Sequence, residues 1–367
     1  MKIIVGIARI LTGLLFIFSG LVKAIDPRGL AYKMQEFFEA WGSIGSLKGM
    51  MQWLDQYALA FSVIMITLEV VVGVALLLGW QKRISTLMLF LLMLFFTFLT
   101  SYVLFSGKIR ACGCFGDCIP LTPVQTFTKD IILLVLSLLL LLNTRYIHPV
   151  AKPWINSGYV LLSMLLTLWL QFYVLKHLPL KDCLPYKVGN NILELRKMPA
   201  NAIPDKFDYV FVYEKGGVKQ DFTTAALPDS SWTFVERKQQ LVTKGRNNIP
   251  LINDFSFSTV TGIDTTDAIL QSNEEYFLLF LKELPANVKV WAPGFKALVE
   301  REKGKRKVYI VTAQRNAVEQ FLHQYNINAD AVFTTDGTAI KTAARSNPTL
   351  FRMKGPVVEE KKSWADF

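Results

Sequence analysis

Apolar residues gather in five long runs in the first half of the chain, at 3–24, 58–80, 86–106, 125–144 and 155–177, with charged residues at their ends. About 20 apolar residues in a row is the length that crosses a bilayer as a helix, so the pattern predicts five membrane spans. The fourth, almost unbroken from Leu133 to Leu142, is the clearest. The first follows directly on Met1-Lys2 and has the look of a signal peptide. It lacks a small-residue cleavage site and carries Arg9 inside it, so a retained helix is expected. It closes at Lys23-Ala24-Ile25-Asp26-Pro27, a charged boundary ended by proline. Leu30, Met34, Phe37, Phe38 and Trp41 then recur at helical spacing, which predicts an amphipathic helix on the membrane surface.

The pattern changes near residue 180. Prolines at 179, 185, 199 and 204 break the chain into short pieces, with Tyr209–Tyr213 and Trp232–Val235 as strand candidates and Gly216-Gly217 as a turn. This stretch, 181–250, is expected to be a small β-rich adaptor. From 251 onward apolar strands alternate with helical spacing: strands at 276–281, 308–312 and 332–334, helices at 292–302, 317–325 and 338–345, and a closing hairpin about Gly355. That alternation predicts a three-layer α/β domain over 251–367.

Composition agrees with the spans. Hydrophobic residues make up 52% of the 367, and mean hydropathy is +0.33, above the range of soluble globular chains. A net charge of +11 would suggest nucleic acid in a soluble protein. Here Lys and Arg sit at span ends, as membrane anchors do, so nucleic acid is excluded as a partner. Five spans place the two termini on opposite sides. The loop after span three and the segment after span five then share one face. Lys82, Arg83, Arg145 and Lys152 mark the short loops of the other face, which hold no acidic residue. The positive-inside rule and the cysteines together favour a cytoplasmic N-terminus and periplasmic C-terminal domains, in a bacterial inner membrane.

Cys112, Cys114 and Cys118 lie in Ala111-Cys112-Gly113-Cys114-Phe115-Gly116-Asp117-Cys118, and Cys183 follows the fifth span; the chain has no other cysteine. All four therefore share a face. Four cysteines allow three pairings. A Cys-x-Cys bridge is strained and readily reduced, whereas Cys114–Cys118, or a loop cysteine with Cys183, closes a relaxed ring. The four are candidate redox residues, with two static disulfides as the alternative. The spacing suits metal knuckles poorly, and no metal is expected. Phe115, Phe105 and Phe127 are candidates to line a quinone-sized pocket, with lipid contact or helix packing as the alternative. Arg9 and Glu69 are intramembrane charges, each a site by default, and on adjacent antiparallel spans they are placed to pair. Lys129-Asp130 is expected to cap span four at the interface. No Ser/His/Asp set, Walker loop or His-rich signature is present.

Several of these segments resemble known families. Arg9-Ile10-Leu11-Thr12-Gly13, Ser19-Gly20-Leu21-Val22-Lys23 with Asp26-Pro27, Glu69 with Gly73, and Cys112-Gly113-Cys114-Phe115-Gly116 together resemble the DoxX/MauE membrane proteins over residues 1–150. The resemblance implies a four-helix bundle and envelope redox work, quinone-linked sulfur oxidation for DoxX and disulfide maturation for MauE. Span five, 151–180, extends that core. In the C-terminal part, Asn347-Pro348-Thr349-Leu350-Phe351 with Lys354-Gly355 resembles the cis-proline segment of thioredoxin-like domains, and 251–255 with 265–270 resembles the opening of redoxin domains. That family carries Cys-x-x-Cys at the helix start after its first central strand. The corresponding region, taken as Val290–Lys296, has no cysteine, which implies a redox-inactive domain. The whole also resembles bacterial homologues of vitamin K epoxide reductase in layout.

The fold class expected is thus an α-helical membrane bundle, a β-rich adaptor and an α/β thioredoxin-like domain. Two functions follow. The first is thiol–disulfide exchange or quinone-linked electron transfer on the periplasmic face, with quinone as the candidate acceptor and a periplasmic or membrane protein as partner. The second is a non-enzymatic scaffold with structural disulfides and a partner-binding pseudo-thioredoxin domain.

Overall fold

The computed structural model describes residues 1–109, 113–243, 245–285 and 287–367. Its N-terminal half holds α1 (Lys2–Ala24), α2 (Pro27–Gly42), α3 (Lys48–Gln56), α4 (Ala58–Leu78), α5 (Lys82–Ser106), α6 (Pro123–Leu142) and α7 (Pro153–Lys176). Five of these, α1, α4, α5, α6 and α7, are long and apolar enough to cross a membrane. They are the five expected spans. Helix α5 starts four residues before its expected 86, because Lys82 and Arg83 form its first turn and Lys82 Nζ donates to the Ile147 carbonyl.

The bundle closes through glycine. A Cβ built on Gly73 of α4 would lie 2.9 Å from the Gly13 carbonyl oxygen of α1, and one on Gly20 would lie 2.6 Å from Val70. Small residues at such crossings let helices approach closely in lipid, where no hydrophobic effect drives association. Helix α7 packs on α4, with Gln171 Nε2 donating to Thr67 Oγ1 at 2.9 Å. Helix α2, N-capped by Asp26 through the Gly29 amide, covers the bundle end at which α1 finishes, and Ser62 Oγ of α4 donates to the Pro27 carbonyl. It is the amphipathic helix expected over 30–41.

Beyond α7 the chain forms α8 (Ile192–Arg196), then β1 (Lys206–Lys215), β2 (Val218–Thr223) and β3 (Thr233–Thr243), an antiparallel sheet in the order β2-β1-β3. Val212 alone in these strands is buried among the described residues. There follow α9 (Thr266–Leu270), β4 (Glu275–Leu281), α10 (Val288–Glu302), β5 (Lys307–Thr312), α11 (Arg315–Tyr325), β6 (Ala331–Thr334), α12 (Gly337–Ala343), β7 (Thr349–Lys354) and β8 (Val357–Ser363). The sheet order is β6-β5-β4-β7-β8, parallel on the β6 side of β4 and antiparallel on the β8 side.

Strand alternation sorts β4 between two cores. Tyr276, Leu278 and Phe280 join Phe351, Met353 and Ile340 on one face; Phe277, Leu279 and Leu281 join Trp291, Phe295 and Phe321 on the other. The peptide before Pro348 is cis and leads into β7. Strand order, layering and this cis-proline make a thioredoxin-like fold. The first core also takes in Tyr186 and Ile192, well before residue 251, and the Gly189 amide donates to the Val358 carbonyl. The three-stranded sheet is therefore an excursion from this unit, rather than a segment wholly preceding it.

Candidate functional site

The bundle face where α1, α5 and α7 end carries the cysteine loop, and the thioredoxin-like unit sits on it. Cys118 forms a disulfide with Cys183, with Cα atoms 5.0 Å apart. Of the pairings left open by the sequence, a loop cysteine with Cys183 is the one seen among the described residues. Cys112 lies outside the described residues. Cys114 packs with Phe37 of α2 and with Val103 and Ile109, and its carbonyl accepts from Ser19 Oγ of α1 at 3.1 Å. Gly113 and Gly116 take positive φ, 71° and 60°, and close a turn in which the Gly116 amide donates to the Gly113 carbonyl. Non-glycine residues enter that region at a steric cost; the turn folds the loop back against α1 and α2.

Beneath the loop lies a cavity of about 20 Å³ lined by Ser19, Lys23, Glu69, Phe96, Cys114, Phe115, Lys129 and Asp130, among others. Lys23, 4% exposed, places Nζ 2.5 and 2.6 Å from the two carboxylate oxygens of Glu69, 2% exposed. Lys129 pairs with Asp130 Oδ1 and lies over the Phe115 ring.

Three expectations change here. Arg9 does not meet Glu69: its guanidinium donates to the carbonyls of Leu76, Leu77 and His148 on the opposite face of the bundle. Asp130 is no interfacial cap. It is 1% exposed inside the bundle, and the cap is Thr122, whose Oγ1 accepts from the Gln125 amide while Gln125 Oε1 accepts from the Thr122 amide. Phe115 lines the cavity, but Phe105 and Phe127 stack edge to face on each other and do not, Phe105 being 78% exposed. A cavity of about 20 Å³ holds about one water; a quinone ring does not fit it.

The unit above is held by side chains. Arg345 of the segment between α12 and β7 pairs through Nε with Asp26 at 2.7 Å and through Nη2 with Asp117 at 2.6 Å. Burial works against the Arg345 charge, but Asp26 and then Asp117 more than offset it and hold the guanidinium above its ordinary range. Lys361 of β8 meets Asp182 beside Cys183 at 2.5 Å, and burial pushes its ammonium down despite that carboxylate. Ser363 Oγ donates to the Lys176 carbonyl, and Lys341 Nζ to Gln35 Oε1 of α2. None of Arg345, Asp117, Lys361 or Asp130 was singled out from the sequence as a site residue.

The position that carries Cys-x-x-Cys in thioredoxins also moves. β4 ends at Leu281 and α10 starts at Val288, so that position falls at 282–288 rather than at 290–296. It reads Lys282-Glu283-Leu284-Pro285-Ala286-Asn287-Val288, again without cysteine.

Residues 1–143 match the family described as Methylamine utilisation protein MauE. The membrane half is MauE-like. A second match, to a domain of unknown function, covers residues 207–244 and so the three-stranded sheet. Protein TlpB of Flavobacterium psychrophilum is 34% identical over 128 residues, 34% of this chain and 32% of TlpB. The aligned part thus spans about a third of that relative. Among solved structures, a solution structure from Neisseria meningitidis named for thioredoxin is 18% identical, covering 30% of this chain and 78% of its own, at a TM-score of 0.25. A thiol:disulfide interchange protein of the thioredoxin family from Chlorobium tepidum TLS is also 18% identical, covering 31% and 88%, at 0.24. The thioredoxin-like assignment rests on strand order and the cis-proline. In the MauE-like half, the matched region contains α1 to α6 and the loop cysteines; Cys183 lies beyond it.

Proposed function

We propose that this protein is an inner-membrane thiol–disulfide exchange protein, with the cysteine face and the thioredoxin-like unit in the periplasm. The Cys118–Cys183 bond carries the reading. It uses two of the four cysteines as a staple between loop and C-terminal unit, which leaves Cys112 and Cys114, one residue apart in the sequence, as the proposed exchange pair. A disulfide fits an oxidising compartment, and Lys82, Arg83, Arg145 and Lys152 on the opposite face fit the cytoplasm.

In the exchange, a reduced loop gives two electrons and two protons to a partner protein's disulfide, and the loop becomes the disulfide; the reverse reaction oxidises a partner dithiol. A quinone as final acceptor requires the helices around Phe115 to part first. Differential alkylation and mass spectrometry in membranes poised across a potential series tests the reading. Cys112 and Cys114 are expected to titrate at roughly −120 to −200 mV while Cys118 and Cys183 stay oxidised to below about −300 mV. If all four stay oxidised to that limit, the exchange reading is lost.

One observation favours a second reading, a partner-binding scaffold. The thioredoxin-like unit has no cysteine at 282–288, so it cannot exchange disulfides by its family's route. On this reading the same titration shows no labile pair.

A further inference from the structure

The cavity below the cysteine loop contains more charge than helix packing explains. Both oxygens of Glu69 face Lys23, and Lys129 engages Asp130 Oδ1. Asp130 Oδ2 is fully buried and has no hydrogen-bond partner among the described residues. A buried carboxylate oxygen left bare is costly, and either a water or a proton relieves it. The cavity it shares with Cys114, Ser19, Lys23 and Glu69 has a volume of about 20 Å³, enough for one water with several polar partners. Among the described residues, helix α5 adds only Met93 and Phe96 to the lining, and the ionisable groups that line the cavity beside Asp130 are Lys23, Glu69, Lys129 and the Cys114 thiol.

We infer that Asp130 Oδ2, through one water in this cavity, is the proton acceptor for Cys114 when the reduced loop attacks a disulfide. The inference rests on the exchange reading above and adds a residue to it. Glu69 is occupied by Lys23, and the Lys129 contact on Oδ1 orients the carboxylate and leaves Oδ2 open. The Cys114 S–H gives its proton to the water, which passes one to Oδ2. The Cys114 thiolate then attacks one sulfur of the partner disulfide; a new S–S bond forms, the partner's S–S bond breaks, and a partner thiolate leaves. Cys112 then attacks the Cys114 sulfur of the mixed disulfide and the second partner sulfur leaves, taking up the Cys112 thiol proton, so the loop ends as a Cys112–Cys114 disulfide and the partner holds two thiols. The proton on Asp130 returns to the partner sulfur that left first.

The test uses the full chain in lipid nanodiscs, reduced with a phosphine. Iodoacetamide labelling of Cys114 is followed by mass spectrometry between pH 5.5 and 9, beside exchange with a disulfide-bonded peptide. Asp130→Asn is expected to slow Cys114 labelling on the order of 10²-fold near neutral pH and to remove the inflection in its profile. Asp130→Glu is expected to restore most of the rate. Wild-type rate and profile in Asp130→Asn would overturn the inference while leaving exchange intact. Conversely, labelling that depends on Asp130 without any exchange with the peptide removes the exchange reading and keeps the proton site. Should Asp130→Asn fail to fold, the solvent deuterium effect on wild-type labelling decides: a clear slowing supports the relay, and none overturns it.

Discussion

Arg345 Nη2 lies 2.6 Å from Asp117 Oδ2, joining the residue beside the cysteine loop's disulfide to one three residues before a cis-proline, 228 positions later in the chain. The same guanidinium holds Asp26, which already caps α2 through the Gly29 amide. One side chain thus fixes the surface helix, the cysteine loop and the thioredoxin-like unit to each other. Arg345→Ala is expected to cost roughly 2 kcal/mol, between the ranges for exposed and buried pairs because both carboxylates keep some solvent contact. Arg345→Lys keeps the charge but not the fork and recovers part of it. Hydrogen exchange checks this: the 26–30 and 113–118 segments should lose protection before β4 does.

The Lys23–Glu69 pair makes a sharper prediction about partners. Glu69→Gln leaves an ammonium buried without its counter-charge, a change expected to cost about 3–5 kcal/mol. Replacing both residues, Lys23→Met with Glu69→Leu, removes the charge and the need for it together. The double variant should be more stable than either single one. Thermal unfolding in detergent measures the order of the three.

Cys118→Ser should destabilise the protein while Cys114→Ser should not. The bond to Cys183 joins residues 65 positions apart, and native cross-links typically contribute roughly 2–4 kcal/mol. The lower end is expected, because α6 and α7 restrict the unfolded chain in detergent as well. Unfolding midpoints of the two variants, read beside non-reducing gels, separate staple from exchange cysteine.

Two buried tyrosines predict opposite effects of the same substitution. Tyr276 donates its hydroxyl to the Gly355 carbonyl at 2.7 Å, whereas the Tyr186 hydroxyl has no partner among the described residues. Tyr276→Phe should cost about 1 kcal/mol, and Tyr186→Phe should gain a similar amount. Burial raises both phenols above their ordinary range. The unfolded chain therefore deprotonates first, so stability from these groups is whole below about pH 10 and falls as pH rises past it. Denaturation midpoints from pH 8 to 11 should drop less steeply in each Phe variant than in wild type.

The spans and the strand–helix alternation were legible because each depends on local periodicity. Tyr276 to Leu281 reads as a buried strand for the reason it is one: both of its faces are covered. The start of α10 was misplaced because Pro293 resembles a first-turn proline, while Asn287 makes no side-chain cap to mark the true beginning. Asp130 reads as an interfacial cap for a similar reason, although a signal to the contrary existed. The Thr122-Pro123-Val124-Gln125 capping box starts α6 two turns earlier, which puts Asp130 inside the bundle. The partners of Lys23 and Arg345 lie 46 to 319 residues away, and no local pattern reports them. Cysteine pairing was beyond the sequence because four cysteines on one face allow three connectivities and more than one closes a relaxed ring.

At the far face, the last four carbonyls of α4 are all satisfied from within the protein. Ala75 accepts from the Trp80 amide, Leu76 from Gly79 and Arg9, Leu77 from Arg9, and Leu78 from Val150 and Asn156. A helix end normally offers such groups to solvent, and here none is left to anchor a file of waters. Arg9 thus ties the end of α4 to the segment before α7, while the charges under the cysteines lie at the other end of the bundle. If the loop exchanges thiols as proposed, its proton meets no unpaired carbonyl at this end of α4, and its release on the cysteine face is the expected outcome.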